Sequence, residues 1–544
     1  MKRVRGAIER GWDRWSPKLT RWSYHFTPVI AFLLIGLVYY LGVRSERTGF
    51  VSEVLDPGLK RITQPVLNAF RGGPPPVDRI VLRITSENVD SLLAVRDSAI
   101  ASGWLHADAN PRYPVRVAFG EYEIDGLLNL DDGPAERLSA DRWPFELRIQ
   151  NGDTLFRMQA FDMAPVYDMQ AVRSWLMQEF RRQIGDPAYH THLVELRANR
   201  TDLGLYSLHG RADSMTLADW GRGRGPVLRF DDDLLAGARS AMSERTFPAA
   251  RPPQADWLVA PVIASRQEFI LNDPITARRH ERSVGRLEEL RAGRLDLDEV
   301  FDVPALARAF ALSDLLGGQD AMEWYDLQFL ADSVSDRLVV IPQRGSSGNA
   351  ITTILALRSG TPIDPEGDRS DFHQMLFNDM EFYRQYVAYL DTFSADGWLE
   401  TMLERVKDRL DHYDKIISSE YPRQVFDRSV LQHDRMIIQQ TLRPKDLVLA
   451  YTQSMGRNER RLAVANVHSL PVEAVGYISG NDTTMLRKPL LLLPRERDKP
   501  LDYSVLGTDK PEVAGQTEKL LVRVLGMDEL HATTIRTWST FIAN

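Results

Sequence analysis

The sequence has no cysteine in 544 residues. That absence excludes disulfide staples, thiolate metal sites and cysteine nucleophiles together. It also has no basic excess: 67 Lys and Arg stand against 75 Asp and Glu, a net charge of −8. Such a balance argues against general nucleic-acid binding, although a local basic groove remains compatible with a polyanion. No Gly-x-Ser-x-Gly motif occurs, and Gly345-Ser346-Ser347-Gly348 resembles one only superficially. The glycine-rich stretch Gly221–Gly225 is not followed by Lys-Ser/Thr, so it is no P-loop. Internal repeats and low-complexity tracts are also lacking. What remains is the composition of a folded protein, 43% hydrophobic and 26% charged, with a length that suits roughly two to four domains.

Long apolar runs are scarce, with one exception. Residues 26–43 (FTPVIAFLLIGLVYYLGV) carry no charge, and Trp22, Tyr24, Tyr39 and Tyr40 sit near the ends. As a helix the run would span roughly 27 Å, close to a bilayer's hydrocarbon thickness. Seven basic residues and two acidic ones precede it. The expectation is a single membrane span with a cytoplasmic N-terminus and the bulk of the chain periplasmic or extracellular. A cleaved signal peptide is the rival. Its small-x-small site is missing, since Arg44-Ser45-Glu46-Arg47 follows the run.

The pattern divides the rest. Residues 1–25 read as a basic tail, 26–43 as the span and 44–76 as a linker ending in the stiff GGPPP hinge at 72–76. Residues 77–240 read as a β-rich lobe. Alternating apolar and polar residues predict strands at 80–84, 114–119 and 145–149. Helices are expected at 88–102, with Asn88 as cap, and at 169–184, and a hairpin flanks Asn199-Arg200-Thr201-Asp202. Residues 241–440 read as mostly helical, with 3.6-residue periodicity at 303–318, 371–393 and 396–417 and a hairpin at 324–342. Short strands then predict a small all-β module of sandwich type over 441–544.

Several segments in this order resemble the CotH kinase-like family. They are DRWPFELRI (141–149), Asp168 and the helix after it, LVELRANRTDLGLYSLHGRAD (193–213) and residues 299–342. The resemblance covers roughly residues 79–350 and implies an α+β, bilobal atypical-kinase-like domain that moves the γ-phosphate of ATP to a protein hydroxyl with magnesium or manganese. Arg148 stands at the family's phosphate-contacting basic residue, and Asp320 at its acidic residue after a Gly-Gly turn, as metal ligand or base. His209 occupies a cofactor-contacting position that is acidic in the family. Asp326, in Tyr325-Asp326, replaces an expected His-Asn and offers a second metal ligand. The family's paired metal-binding acids are replaced by Arg344 and Ser346 after Pro342, a change that repels a cation.

The expectation is therefore a membrane-anchored, exported CotH-like protein with impaired or altered phosphotransfer, using ATP and magnesium or manganese if active and no cofactor otherwise. A non-catalytic scaffold of the cell envelope that docks an envelope protein or surface polymer is the alternative. An envelope enzyme acting on polysaccharide or another polyanion is a third. The Asp231-Asp232-Asp233 run lacks EF-hand spacing and reads as a solvated loop, and His190 with His192 reads as a surface pair.

Overall fold

Alternating side chains make two-faced strands, and the first strands of this chain bury their apolar face by closing into a barrel. They are β1 (Asp78–Arg83), β3 (Tyr113–Phe119), β4 (Tyr122–Leu130), β6 (Phe145–Ile149), β7 (Ala160–Pro165), β8 (Thr191–Ala198) and β9 (Thr201–Gly210), hydrogen-bonded in the order β1-β3-β4-β6-β7-β9-β8. The two-residue strands β2 (Trp104–Leu105) and β5 (Gly133–Pro134) pair beside it. Closure comes from β1, which pairs antiparallel with β3 and parallel with β8. Ile80, Leu82, Val117, Leu128, Leu147, Phe161 and Tyr206 belong to the core that fills the barrel.

The computed structural model describes residues 75–221, 225–233, 235, 253–265, 267–342, 349–358, 360–364, 367–455, 460–496, 498–508 and 518–537. These belong to one compact unit, residues 75–544.

A four-stranded sheet, ordered β11-β10-β12-β13, follows: β10 (Val227–Phe230), β11 (Val262–Ala264), β12 (Leu327–Ala331) and β13 (Leu338–Pro342). Gly225 leads into it. A Cβ there would lie 1.8 Å from the Ala331 carbonyl oxygen, so only glycine lets these two backbones approach. The last glycine of the GRGRG stretch is thus a packing requirement, while residues 222–224 lie outside the described residues.

The helices pack around Val303–Leu315, which is buried on nearly every face. Asp302 starts it by accepting from the Ala305 amide at 3.1 Å. The periodic stretch 371–393 is two helices, Phe372–Phe377 and Met380–Ser394, because Asp379 caps the second by accepting from the Phe382 amide at 2.8 Å. Trp398–Glu420 and Ser429–Leu442 follow. Helix Ser86–Ser102 begins at Thr85, not Asn88. The Thr85 hydroxyl accepts from the Asn88 amide, and the Asn88 side chain donates to the Pro114 carbonyl instead.

The final strands are β14 (Val448–Met455), β15 (Arg460–Asn466), β16 (Val472–Ser479), β17 (Asp482–Leu492), β18 (Ser504–Thr508), β19 (Glu518–Val524) and β20 (His531–Thr537). They form one sheet ordered β17-β16-β19-β20-β14-β15-β18.

These observations correct the expected fold class. The strands of the expected β-rich lobe close into a barrel, because both edges of β1 find partners; alternation reveals strands but not which edges meet. The C-terminal strands form one continuous order, not two separate sheets of a sandwich, because β20 pairs with both β19 and β14. Among the described residues no helix is long and apolar enough to cross a membrane. The expected membrane span and its cationic flank, residues 1–43, lie outside the described residues, so the membrane reading finds no support in the structure.

Candidate functional site

The register of the barrel wall places polar side chains in a row. Asn129 on β4 lies opposite Glu146 on β6, Glu146 opposite Asp162 on β7, and Asp162 opposite His209 on β9. Their strand neighbours Leu128, Leu147, Phe161 and Leu208 point into the barrel core, so this row faces outward by the period-two rule. Arg148, two residues beyond Glu146, shares its face.

Outside this wall lies a cleft of about 870 Å³. Asn110, Asn129, Glu146 and Arg148 line it on one side. Arg229 of β10, Ala264 of β11 and Gln328 of β12 line it on another, together with Asp320, Tyr325 and Asp326. Three of the residues singled out from sequence, Arg148, Asp320 and Asp326, therefore share one cleft. His209 is not among the lining residues; its Nε2 lies 3.0 Å from the Ser207 hydroxyl.

A buried ion network organises the wall. Arg211, just past β9, lies 2.9 Å from Glu146 Oε2 and 2.8 Å from Asp162 Oδ1. Arg112 approaches Glu146 Oε1 at 3.3 Å. Burial raises the Glu146 carboxyl, but Arg211, Arg112, the Asn129 hydrogen bond and Arg148 outweigh it, and the group is held below its usual range. Burial likewise opposes the charge on Arg211, and Asp162, Glu146, Asp132 and Asp131 overcome it, so the guanidinium stays firmly protonated. Asp131 pairs with Arg137 at 2.5 Å. Asp320 sits on a short 3₁₀ turn, Gln319–Met322, and Arg358 lies 3.6 Å from it and 3.5 Å from Glu323.

This donor set does not fit a divalent cation. Among the described residues no group of three or more His, Cys, Asp or Glu is placed to hold a metal ion. Glu146 and Asp320 already carry guanidinium partners. Arg344 and Ser346, which stand for the family's paired acids, lie outside the described residues, as does Gly345-Ser346-Ser347-Gly348.

Other sequence candidates take structural roles. Asp213 caps helix Ser214–Asp219 by accepting from Thr216 at 2.7 Å, and its second oxygen accepts from Gln159 and Ala160. Gly204, Leu205 and Tyr206 form a joint. Glu420 accepts from the Leu205 amide at 3.1 Å and from Arg142 at 2.7 Å, and a Cβ on Gly204 would strike both side chains. The Tyr206 hydroxyl donates to the Trp143 carbonyl. The Asp231–Asp233 run is half-buried rather than solvated: Asp233 accepts from the Trp104 indole at 2.8 Å, and Asp231 faces Arg229 at 3.5 Å. His190 bonds Asp219 at 2.9 Å, and His192 stacks on Phe156, where burial and then Arg409 push it down to about 4.

Sequence reasoning missed Glu146, Asp162 and Arg211. The alternation in FELRI did carry a signal for Glu146, since it shares a strand face with Arg148. Nothing local marked Asp162 or Arg211, which join the site only through cross-strand register.

No protein-family model matches the chain, and no curated protein matches it in sequence.

Proposed function

We propose that this is a CotH-like, kinase-related protein whose cleft binds an anionic, phosphate-bearing ligand and has lost metal-dependent phosphotransfer. One observation carries the reading. Arg148 faces the same cleft as Asp320 and Asp326, while the acids Glu146, Asp131 and Asp320 that line it are engaged by Arg211 and Arg112, by Arg137 and by Arg358 respectively. Phosphoryl transfer by kinases depends on metal ions that neutralise charge between nucleotide and acids. Guanidinium groups occupy that electrostatic role here, and an arginine can hold a phosphate by a charge-assisted fork.

Thermal unfolding of the full chain with ADP, ATP and inorganic phosphate, each with and without magnesium, tests this. A ligand at 100 times its dissociation constant stabilises the folded state by about 2.7 kcal/mol. The expected result is a shift that magnesium does not alter and that Arg148→Ala removes, with no labelled phosphate passing from ATP to protein. Magnesium-dependent transfer that Asp320→Ala abolishes would restore the kinase reading. The absence of any shift would remove the anion site.

A further inference from the structure

We propose that the end of the cleft formed by Asn110, Asn129 and Asp132 is an acceptor pocket for a protonated nitrogen, a guanidinium or primary ammonium on a small ligand. The inference rests on the cleft being a ligand site, as argued above, and adds the second chemical group that ligand carries.

The amide geometry is the starting point. Asn129 is 5% exposed and Asn110 8%, yet both line the cleft. Asn129 Nδ2 donates to the Leu130 carbonyl at 3.0 Å and to Glu146 Oε2 at 3.4 Å. Asn110 Nδ2 donates to the same carbonyl at 2.6 Å. Turning either amide over would set its oxygen against that carbonyl oxygen, so the acceptors fix both orientations. The Oδ1 atom of each asparagine is thereby left buried with no hydrogen-bond donor among the described residues. Buried acceptors are rarely left unmet, and two that share one bonding centre mark a place where an outside donor docks.

Charge selects which donor. The arginines here are committed: Arg137 to Asp131, Arg211 to Glu146 and Asp162, and Arg229 to Asp231. Asp233 is taken up by the Trp104 indole and the Ala107 amide. Asp132 lines the cleft, and its carboxylate forms no ion pair among the described residues; the Arg137 guanidinium donates to its backbone carbonyl at 2.8 Å instead. Burial, then the neighbouring Asp131, raises the Asp132 carboxyl above its usual range, with Arg211 and Arg229 only partly offsetting them. This end of the cleft is thus lined by two asparagines whose buried oxygens lack a donor and by an under-compensated carboxylate, a set that suits an N–H cation of several donors. The want of a metal-binding cluster separates this from a cation site for a bare ion.

Calorimetric titration of the full chain with agmatine, which carries a guanidinium and an ammonium, tests the pocket at physiological salt. Binding to the unaltered protein is expected, with affinity reduced about tenfold or more by Asp132→Asn or Asn129→Leu, the scale of a lost charge-assisted hydrogen bond. If Asn129→Leu does not fold, Asp132→Asn decides alone, since that side chain is only half-buried and keeps its shape. Arg148→Ala should keep agmatine binding while losing ADP. Agmatine affinity unchanged within about twofold in the variants would show general attraction to an acidic protein and overturn the pocket. ADP binding without agmatine binding would sink the pocket and leave the anion site standing; the converse would sink the anion site alone.

Discussion

At the scale of single residues, Arg211 holds the cleft wall together. Glu146 and Asp162 are both packed against it, and Glu146 is nearly inaccessible. Removing one partner of a buried network leaves charge without compensation and costs about 3–5 kcal/mol. Arg211→Met should therefore lower the urea-unfolding free energy by about that much, whereas Arg148→Ala, at a half-buried position beside it, should cost under about 1 kcal/mol. A second residue-scale effect lies among the helices. Burial lifts Asp314 to about 7, against hydrogen bonds from Tyr386, Gln319 and the Leu355 amide, and lifts Asp434 to about 6. Both exceed the roughly 3.9 of an unfolded aspartate. At these two groups the folded state thus binds more protons between those values, and their contribution to stability falls as pH rises from about 4 to 7, then levels off. Glu146, held below its usual range, acts in the opposite sense and only below about pH 4.5. His192 and His468, both pushed down to about 4 by burial, act in the opposite sense between about pH 4 and 6.5. The two carboxyls are therefore read from the difference between the protein and its Asp314→Asn, Asp434→Asn variant: followed from pH 4 to 8, the unfolding temperature of the variant should rise relative to that of the unaltered protein. A difference that stays constant over that window would refute the assignment.

At the scale of elements, barrel closure depends on one turn. Asn199 takes a positive φ of 52° between β8 and β9. Its side chain accepts from the Ile84 amide at 2.8 Å and donates to the Ile84 carbonyl at 2.9 Å, pinning the end of β1 beside β8. Asn199→Ala loses both bonds and strains the turn, for an expected cost of about 2–3 kcal/mol. Asn199→Gly keeps the backbone freedom and should recover about 1 kcal/mol of it. Equal losses in the two variants, read from denaturant midpoints, would mean the left-handed backbone contributes nothing. The hairpin itself was legible, because alternating runs flanked a turn-forming asparagine. Its second role was not, since Ile84 lies far away in sequence. The same division recurs at 371–393, where the apolar period was readable but the break at Asp379 was not, because one capping side chain is weak beside a continuous apolar face.

For the whole molecule, the β-strands after residue 443 and the helices before them share a core. Leu390, Val406 and Ile438 of the helices cluster with Val448, Val472 and Val524 of the sheet. Glu473 meets Arg384 at 2.7 Å across the same boundary, and its neighbour on β19, Arg523, at 2.9 Å within the sheet. A Cβ on Gly526 would lie 2.6 Å from the Arg384 carbonyl oxygen. The helices and this sheet should therefore unfold in one calorimetric transition, and a chain ending at Arg443 should be recovered unfolded or aggregated. A separate transition for residues 444–544, or a soluble, cooperatively folded truncation, would contradict the shared core. The barrel has its own core and is tied to the helices in part through Glu420, so a distinct transition for it is compatible with the structure.

The sequence by itself determined the strands and helices, because period and turn chemistry act within a few residues. The CotH-like resemblance of its segments also singled out Arg148, Asp320 and Asp326, which line one cleft. Only tertiary structure decided which strand edges meet, and with them the closed barrel. It alone set Asn129, Glu146, Asp162 and His209 in one row and brought Arg211 across them. Pairing register and the burial of charge depend on residues far apart in the chain, and no local pattern encodes which of them become neighbours.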